Sequence, residues 1–298
     1  MSDFFVTGCS GFLGSEFVRQ LLAGGRAVLG GDIVTSDVHD DGFKFIEFDL
    51  RDSVDGLTAV DLPKKVIHCA GISDLYEAQL NLGLTLEINF ESTGRLASRF
   101  LDVHGDDSEA VFVFASSVYA APNAINYYGL AKYFAEQYLA MRFREVSAKC
   151  MIMKFGSVYG MGGGINNGIR KMLASALTKK QVIYNGFRDA ERDYIHVSDA
   201  VGLTLQEIDI CRRSESGAAI YLLSGGVSLK IEEVAEMISR ICECDVSPKF
   251  TEESNLLNYR SGIPSHGNPD IVPLIPGKVS SLEKNLTEMV NLIRELEN

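Results

Sequence analysis

The chain has 298 residues, of which 46% are hydrophobic and 23% charged, a composition typical of a globular protein with one sizeable core and a smaller lobe. Its formal net charge is -12, and a surface of that sign repels the phosphates of nucleic acids and anionic membranes. No apolar run is long enough to span a bilayer, and no basic leader precedes the first predicted strand. We therefore expect a cytoplasmic protein with neither nucleic acid nor membrane as a partner.

The six cysteines are scattered along the chain. Only Cys242 and Cys244 are close in sequence, without the second pair or the histidines of a zinc site. We expect reduced thiols and no metal, with metal binding as the alternative.

The first half of the sequence alternates short apolar runs with segments of helical periodicity. Six runs are predicted as strands: Phe4–Val6, Ala27–Leu29, Phe43–Ile46, Val66–Cys69, Val111–Phe114 and Met151–Phe155. The helical pattern after the first strand stops at Gly24–Gly25. This alternation is typical of an α/β fold with a doubly wound parallel sheet and helices on both faces.

The character of the sequence changes after about residue 160. Gly160–Gly164 is predicted as a flexible joint, and prolines and polar residues punctuate the chain from Val246 onward. We expect a dinucleotide-binding domain from residues 1–158 with about 189–223. A smaller, interleaved C-terminal substrate domain would comprise about 159–188 and 224–298.

A glycine-rich turn, Thr7–Gly14, follows the first strand and opens the first helix. Backbone N–H groups at such a turn can bind a dinucleotide pyrophosphate. Gly8 permits the tight turn, Gly11 permits close approach to phosphate, and Gly14 lets the helix close on the sheet. The predicted cofactor contacts of this turn are Gly8, Ser10, Gly11, Phe12, Leu13 and Gly14; the alternative is an ordinary glycine turn.

Asp32 ends the second predicted strand, where a carboxylate can accept hydrogen bonds from the adenosine ribose hydroxyls. It would repel a 2'-phosphate, and no arginine or lysine follows it through Thr35. NAD is therefore favoured over NADP. The alternative is a solvated aspartate in a turn.

Tyr128 and Lys132 are four residues apart at the start of a predicted helix, so both side chains share one face. A free tyrosine has a pKa of about 10, but a neighbouring ammonium and a positive nicotinamide ring both favour the phenolate. Tyr127 pairs with Ala131 at that spacing and cannot play the same part. The pair is a candidate general base; alternatively, the two residues are surface neighbours.

Ala115–Ser117 follow directly after the fifth predicted strand, which places a hydroxyl at the carboxyl edge of the sheet. Doubly wound folds bind ligands at that edge. Together the motifs resemble the extended branch of the short-chain dehydrogenase/reductase family, in particular its NAD-dependent epimerases and dehydratases of nucleotide sugars with a Rossmann domain. The resemblance covers nearly the whole chain and rests on Thr7–Gly14, Asp32, Asp49–Leu50, His68–Gly71, Asn89, Ser116–Ser117, Tyr128 with Lys132, and Arg192–Val197.

The resemblance implies roles for individual residues. Tyr128 would be the acid/base, and Lys132 would bind the nicotinamide ribose and lower the pKa of the tyrosine. Ser117 would hold the substrate oxygen, a task for which Ser116 is the less suitable candidate. The remaining cofactor contacts that it implies are Asp49 and Leu50 beside the adenine, and Ala70 and Gly71 along the cofactor channel.

The Arg192 segment resembles the stretch that supplies an arginine to the substrate diphosphate in nucleotide-sugar enzymes. A guanidinium fork suits phosphate oxygens. The alternative is an Arg192 paired with a nearby carboxylate. His196 is interpreted as a core or supporting residue.

The sequence departs from the family pattern at Ala120, where glycine is usual, and at Ser157, where many members carry asparagine. Only ten residues separate Ser117 from Tyr128, so the pocket wall built by that loop must differ. Val118 and Tyr119 stand where dehydratases of the branch carry an Asp-Glu pair, which disfavours dehydration.

Three functional hypotheses remain. The first is an NAD-dependent nucleotide-sugar epimerase that oxidises its substrate transiently. The second is a dehydrogenase or reductase of a sugar nucleotide or another small hydroxylated substrate. A non-catalytic NAD-binding sensor is the third, disfavoured because Tyr128 and Lys132 are both present.

The helix after Tyr128 carries two apolar stripes on separate faces. The stripes are Leu130, Phe134, Tyr138 and Met141, and Leu139, Phe143 and Val146. Since one sheet can cover only one stripe, we expect a homodimer in which the other packs against its symmetry mate, as the family resemblance also implies.

Overall fold

The computed structural model describes residues 2–58, 62–163, 167–210, 217–226, 228–251, 270–275 and 280–296. The strands within these ranges are β1 Phe4–Thr7, β2 Val28–Asp32, β3 Phe43–Glu47, β4 Lys65–His68, β5 Val111–Ser117, β6 Lys149–Phe155, β7 Ser157–Tyr159, β8 Ile183–Asn185, β9 Glu191–His196, β10 Ala219–Leu223, β11 Ser228–Lys230, β12 Lys249–Thr251 and β13 Ile271–Leu274. The helices are α1 Phe12–Ala23, α2 Leu75–Leu80, α3 Leu82–Leu86, α4 Ser92–His104, α5 Tyr127–Arg142, α6 Gly168–Lys179, α7 Val197–Ile210, α8 Ile231–Ile241 and α9 Leu282–Leu296. A 3-10 turn at Val54–Gly56 and a π-helical segment at Glu87–Glu91 complete the elements.

The main feature of the fold is a parallel sheet of eight strands in the order β13-β10-β6-β5-β4-β1-β2-β3. The chain begins at β1, moves outward to β3, and then returns to β4 on the other side of β1. This reversal separates the connections that leave β1 and β4, and ligands of doubly wound folds bind in the crevice at such a point. The predicted doubly wound parallel sheet is confirmed, and all six predicted strands belong to it.

Alternating side chains divide the sheet into two apolar layers, because successive residues of a strand point to opposite faces. Val6 and Val113 face one layer, which is covered by α1 and α7. Phe5 and Phe112 face the other layer, which is covered by α4 and α5. Burial on both faces explains why these strands read as nearly continuous apolar runs.

A smaller lobe lies beyond the carboxyl end of β6. It contains a three-stranded sheet in the order β11-β9-β7, a two-stranded pairing of β12 with β8, and a core shared by α6, α8 and α9. Two strands lie in a different sheet from the one that the predicted segments imply. β9, within the segment 189–223 assigned to the dinucleotide-binding domain, lies in the small sheet. β13, within the segment 224–298 assigned to the substrate domain, pairs with β10 in the large sheet. Gly164, the last residue of the predicted joint, lies outside the described residues.

The described ranges contain neither a disulfide bond nor a helix that could cross a membrane. No disulfide bond joins the cysteines that these ranges contain, which are Cys9, Cys69, Cys150, Cys242 and Cys244. Within the same ranges, no helix combines the length and the apolar character that crossing a bilayer requires.

Candidate active site

The turn between β1 and α1 is closed by direct contacts that only glycine allows. Gly8 has a φ of 70°, and a Cβ there would lie 2.6 Å from the backbone nitrogen of Ala70. A Cβ on Gly14 would collide with the carbonyl oxygen of Gly8. The first turn of α1 therefore sits directly on the β1 turn, as predicted for the glycine motif.

Helix α1 begins at Phe12 with Gly11 as its N-cap, and no side chain of the described residues caps this end by a hydrogen bond. The first N–H groups of a helix have no partner within the helix, and the helix dipole makes that end positive. An uncapped helix start beside a glycine turn is a favourable site for a phosphate group.

Asp32 is fixed at the end of β2 by two backbone donors. Its Oδ2 accepts a hydrogen bond from Ser10 N at 2.9 Å, and its Oδ1 accepts one from Val34 N at 3.0 Å. The hydroxyl of Ser10 donates to the carbonyl of Val34 at 2.7 Å. The carboxylate is thus anchored to the glycine turn, and each of its oxygens keeps a lone pair for a further donor.

Two apolar side chains follow Asp32 in an exposed position that sequence analysis missed. Ile33 is 67% exposed and Val34 is 60% exposed. An exposed apolar pair beside a fixed carboxylate can cover one face of a flat ring. The signal in the sequence was two β-branched residues continuing beyond the polar end of a strand.

Asp49 and Leu50, predicted beside the adenine, lie in different environments. Asp49 is partly exposed and forms an ion pair with Arg51 at 2.6 Å, and the hydrogen bonds of Arg51 lower its pKa. The side chain of Leu50 is buried in the core, whereas its carbonyl accepts a hydrogen bond from Arg95. At this edge Asp49 is therefore the more accessible of the two side chains.

The loop after β4 is held by Asn89, which lies in the π-helical segment. Its Oδ1 accepts from Ile72 N at 2.8 Å, and its Nδ2 donates to Ile72 O at 2.9 Å. A Cβ on Gly71 would lie 2.7 Å from the Asn89 Oδ1 and 3.7 Å from the Lys132 Nζ. This loop therefore runs close to the ammonium of Lys132 and leaves no space for a side chain there.

His68 joins three elements beneath the site. Its Nδ1 lies 2.7 Å from Thr7 Oγ1 and its Nε2 lies 2.9 Å from Thr93 Oγ1. Burial, assisted by the positive charge of the nearby Lys132, lowers its pKa to about 3. A neutral imidazole with a hydrogen bond at each ring nitrogen supports the structure and is not a proton carrier at neutral pH.

The start of α5 is defined by Asn126, whose Oδ1 accepts a hydrogen bond from Gly129 N at 2.7 Å. A Cβ on Gly129 would collide with the carbonyl oxygen of Tyr119, so this turn packs directly on the loop after β5. Asn126 is buried, and its Nδ2 has no hydrogen-bond partner in the part of the chain that the structure describes. This donor belongs to the residue two positions before Tyr128.

Tyr128 and Ser117 meet where β5 faces α5. A hydrogen bond with Ser117 lowers the pKa of Tyr128, but burial outweighs it and raises that pKa to about 12. The Oγ of Ser117 also accepts from Tyr119 N at 3.2 Å. Sequence analysis predicts a pKa of Tyr128 lowered by Lys132, whereas in the protein itself removal of the phenol from water is the larger effect.

Lys132 lies beside this pair with its ammonium buried. Its Nζ donates to Ala115 O at 2.9 Å and lies 4.6 Å from the ring centroid of Phe114. Burial lowers its pKa to about 8. Helix α5 carries Tyr128 and Lys132 four residues apart, as the sequence predicts, and contacts with Ser117 and Ala115 place both at the carboxyl end of β5.

Ser116, the other serine at the end of β5, binds a buried carboxylate and not Tyr128. Its Oγ donates to Glu136 Oε1 at 2.5 Å, and the same carboxylate binds Lys154 Nζ at 2.6 and 2.8 Å. Neither Glu136 nor Lys154 was among the predicted site residues. The available signals were an acidic residue one turn after Lys132 and a single lysine inside an apolar strand.

Arg192 lies on β9, in the small sheet. The residue is 9% exposed, and its guanidinium donates to Glu191 O at 2.8 Å. Burial raises the pKa of Tyr184, and the charge of Arg192, together with its hydrogen bond, opposes that rise. Tyr119 lies near enough to Tyr128 and Tyr184 for its charge to influence both pKa values. Tyr119 is therefore a common neighbour of Tyr184, which is next to Arg192, and of Tyr128 at the carboxyl end of β5.

Comparison with known proteins places these motifs in context. Residues 4–221 match the model of the NAD dependent epimerase/dehydratase family. The chain is 28% identical over 268 residues to a dTDP-4-dehydro-6-deoxy-D-allose reductase of Streptomyces bikiniensis, covering 79% of this chain and 80% of that protein. It is 23% identical over 292 residues to a UDP-glucose 4-epimerase of Vibrio cholerae, covering 91% and 84%. The structure of MoeE5 in complex with UDP-glucuronic acid and NAD superposes with a TM-score of 0.80 at 22% identity, covering 99% of both chains.

The depressed pKa of Lys132 leads to a prediction about stability. Since its folded-state pKa of about 8 lies below the ordinary value of 10.5, the unfolded chain binds more protons between these pH values, and wild-type stability rises across that window. Replacing the buried charge by Lys132→Met should raise the free energy of unfolding at pH 7 by about 1 to 3 kcal/mol. The gain should shrink as the pH approaches about 10.

Urea titrations at both pH values measure this gain. The control is Lys171→Met, an exposed lysine of α6, which should change stability by less than about 0.5 kcal/mol at either pH. A Lys132→Met protein that is less stable than the wild type at pH 7 would contradict the assigned environment of the ammonium.

Proposed function

The chain belongs to the NAD-dependent epimerase/dehydratase family of enzymes, and from this premise we propose that it is an NAD-dependent nucleotide-sugar epimerase. The observation that carries the proposal is the hydrogen-bonded Ser117–Tyr128 pair with Lys132 beside it at the carboxyl end of β5. A hydroxyl holder, a proton carrier and a buried cation at one sheet edge are the groups that reversible oxidation of a secondary alcohol requires.

The residues around the glycine turn fit NAD. The cradle at Gly8 and Gly14 has no space for a side chain, and the uncapped start of α1 offers N–H groups to a pyrophosphate. Asp32 would accept the ribose hydroxyls and would repel a 2'-phosphate, which favours NAD over NADP. The other residues proposed to contact the cofactor are Ser10, Gly11, Phe12, Leu13, Asp49, Leu50, Ala70, Gly71, Tyr128 and Lys132.

NAD, when bound, would take up a hydride from the substrate carbon and return it later. Ser117 would hold the reacting oxygen of the sugar while Tyr128 takes its proton. With a pKa of about 12, Tyr128 needs positive charge nearby to act as a base at neutral pH. Lys132, with a pKa of about 8, is mostly protonated at pH 7 and would supply part of that charge.

The substrate is proposed to be a nucleotide sugar. The support is the similarity to a UDP-glucose 4-epimerase and to a structure in complex with UDP-glucuronic acid. Arg192 is the proposed diphosphate contact, because a buried guanidinium among phenols presents fixed donors in a poorly hydrated place. In an acidic protein such a local cation would offset the long-range repulsion of an anionic substrate.

A net reductase or dehydrogenase of a nucleotide sugar is the second candidate. The observation in its favour is that two Streptomyces relatives, 28% and 27% identical over 268 residues, are dTDP-4-dehydro-6-deoxy-D-allose reductases. The same serine, tyrosine and lysine would serve both reactions. The difference lies in whether the reduced cofactor is kept or released.

The proposed function is tested with a panel of UDP-, GDP- and dTDP-sugars. Mass spectrometry and proton NMR should detect an epimer of unchanged mass, and absorbance at 340 nm should rise only transiently because the reduced cofactor stays bound. Stoichiometric accumulation of NADH in solution would replace the epimerase by a dehydrogenase. Oxidation of added NADH by a keto-sugar would replace it by a reductase.

Tyr128→Phe should lower turnover by about 10²- to 10⁴-fold, the usual contribution of general acid-base catalysis. NAD binding should persist, because the substitution removes only the hydroxyl. The matched control is Tyr127→Phe, the adjacent tyrosine, which should retain turnover. Steady-state kinetics and calorimetry measure the two properties, and near-normal turnover of Tyr128→Phe would refute the assigned role.

Asp32→Ala should weaken NAD binding and erode the preference for NAD over NADP, because the carboxylate that repels a 2'-phosphate is removed. Asp37→Ala, an exposed aspartate of the same loop, is the control and should leave both affinities unchanged. Calorimetry of both cofactors decides the question. A wild type that binds NADP more tightly than NAD would reverse the cofactor assignment.

The chain is further proposed to form a homodimer through the outer face of α5. Leu139 and Phe143 are buried against the sheet, whereas Phe134 is 40% exposed and Met141 is 58% exposed. Phe134 also lies 6.0 Å from the ring centroid of Phe90, which enlarges the exposed apolar surface. In the proposed dimer, a two-fold axis would bring this apolar surface against the same surface of the second copy.

Sedimentation should therefore give twice the chain mass of 32.6 kDa at micromolar concentration, and Phe134→Glu should give the monomer. The control, Leu296→Glu, changes a residue that is 81% exposed at the end of α9 and should leave the dimer intact. A wild type that sediments as a monomer would contradict the proposal.

A further inference from the structure

A buried ion pair lies under the candidate active site, on the side of α5 that faces the sheet. Ser116 on β5 and Lys154 on β6 are register partners on neighbouring strands. Their side chains therefore point to the same face, and Glu136 of α5 meets both. One carboxylate thus joins two strands of the sheet to the helix above them.

The contacts of this pair extend to the loop after β5. Lys154 Nζ donates to both oxygens of Glu136, at 2.6 and 2.8 Å, and also to Ala120 O at 2.8 Å. Ser116 immediately precedes Ser117, and Ala120 belongs to the ten-residue connection between Ser117 and Tyr128. The network therefore holds both ends of the segment that carries Ser117.

The same helix face carries the proton-transfer groups. Glu136 follows Lys132 by four residues and Tyr128 by eight, so the three side chains occupy one side of α5. A shift of Glu136 along or around the helix axis would move Tyr128 and Lys132 by a similar amount. The ion pair thus fixes the register between the proton-transfer groups and Ser117.

The charges of Glu136 and Lys154 also affect the electrostatics of the site. Glu136 and Lys154 are each 4% exposed at their side chains, and burying two charges costs desolvation that apolar residues would avoid. Glu136 is faced by Lys154 from β6, by Lys132 from α5 and by the hydroxyl of Ser116 from β5, and its charge raises the pKa of Tyr128. Because the negative charge of Glu136 balances the positive charge of Lys154, the positive charge of Lys132 is available to stabilise a phenolate at Tyr128.

We propose that Glu136 and Lys154 are positioning residues that hold Ser117 in register with Tyr128 and Lys132. The role rests on the proposed function of those three residues. Neither Glu136 nor Lys154 contacts the substrate in this scheme; both act through the elements that they join.

The test compares three changes. Glu136→Gln with Lys154→Met removes both charges together and leaves no unpaired buried ion. Lys154→Arg keeps a positive charge and several N–H donors at this position, so it is the charge-preserving variant. Glu232→Gln removes the carboxylate of the surface ion pair with Arg188, where the N···O distance is 2.8 Å and the arginine is 55% exposed, and serves as the control.

The kinetic readout uses the panel sugar that the wild type converts. The double variant should bind NAD with nearly wild-type affinity and keep its KM, but kcat should fall by about 10²-fold, the cost of misplacing reacting groups by about 1 Å. Lys154→Arg should retain most of the wild-type kcat, and Glu232→Gln should leave kcat, KM and NAD affinity unchanged. A double variant with wild-type kcat, or one with raised KM and unchanged kcat, would overturn the proposal.

A spectroscopic readout separates this inference from the proposed function. In protein labelled with 13C at the tyrosine Cζ, the resonance of Tyr128 is assigned by its loss in Tyr128→Phe. It should move in the double variant and stay in place in Glu232→Gln. An unmoved resonance would overturn the positioning role even if the enzyme proves active, and a moved one supports it even if no panel sugar is converted.

If the double variant fails to fold, Glu136→Asp replaces it. This variant keeps the charge and withdraws the carboxylate by one methylene, so the same fall in kcat and the same movement of the Tyr128 resonance are expected. Wild-type values of both would count against the proposal.

Discussion

The contact between the first turn of α1 and the turn after β1 is the constraint on which the rest of the site depends. Because neither Gly8 nor Gly14 carries a Cβ, the helix start lies directly over the carboxyl end of β1. The same turn touches the backbone at Ala70, so the loop after β4 is drawn to the same place. The loop in turn passes Lys132 of α5. Close backbone contacts therefore relate the glycine turn to the loop after β4, and the buried ammonium of Lys132 extends this series of contacts to α5.

Much of this arrangement could be read from the sequence, because local patterns determine it. The six apolar runs became strands, and the spacing of Tyr128 and Lys132 placed both on one helix face. The ends of elements were harder to predict. β5 continues to Ser117 rather than Phe114, because Ala115–Ser117 pair with Met153–Phe155 of β6 although they are small or polar. The assignment of β9 and β13 to sheets likewise depends on partners distant in the chain.

The electrostatics of the site were out of reach of sequence analysis for a related reason. A tyrosine four residues from a lysine suggests a lowered pKa, but burial acts in the opposite direction and its size depends on packing. Glu136 and Lys154 were not predicted as site residues, and residues of their type are rarely fully buried. Their burial became evident only when β5, β6 and α5 were assembled. Two buried lysines and one buried glutamate at a single sheet edge indicate that stability has been exchanged for a defined charge pattern, as is common at functional sites.

The π-helical segment at Glu87–Glu91 has a consequence for how this protein can diverge. A π turn holds about one residue more than an α turn, and such turns occur mostly as single interruptions of α-helices. It is here that Asn89 turns towards the sheet and binds both backbone groups of Ile72. Deleting one residue would convert the segment into a continuous α-helix and rotate Asn89 away by roughly 100°. The length of this stretch should therefore be less tolerant of insertions and deletions in related lineages than its exposed neighbours in α2 and α3, even though no residue in it is proposed to touch the reacting atoms.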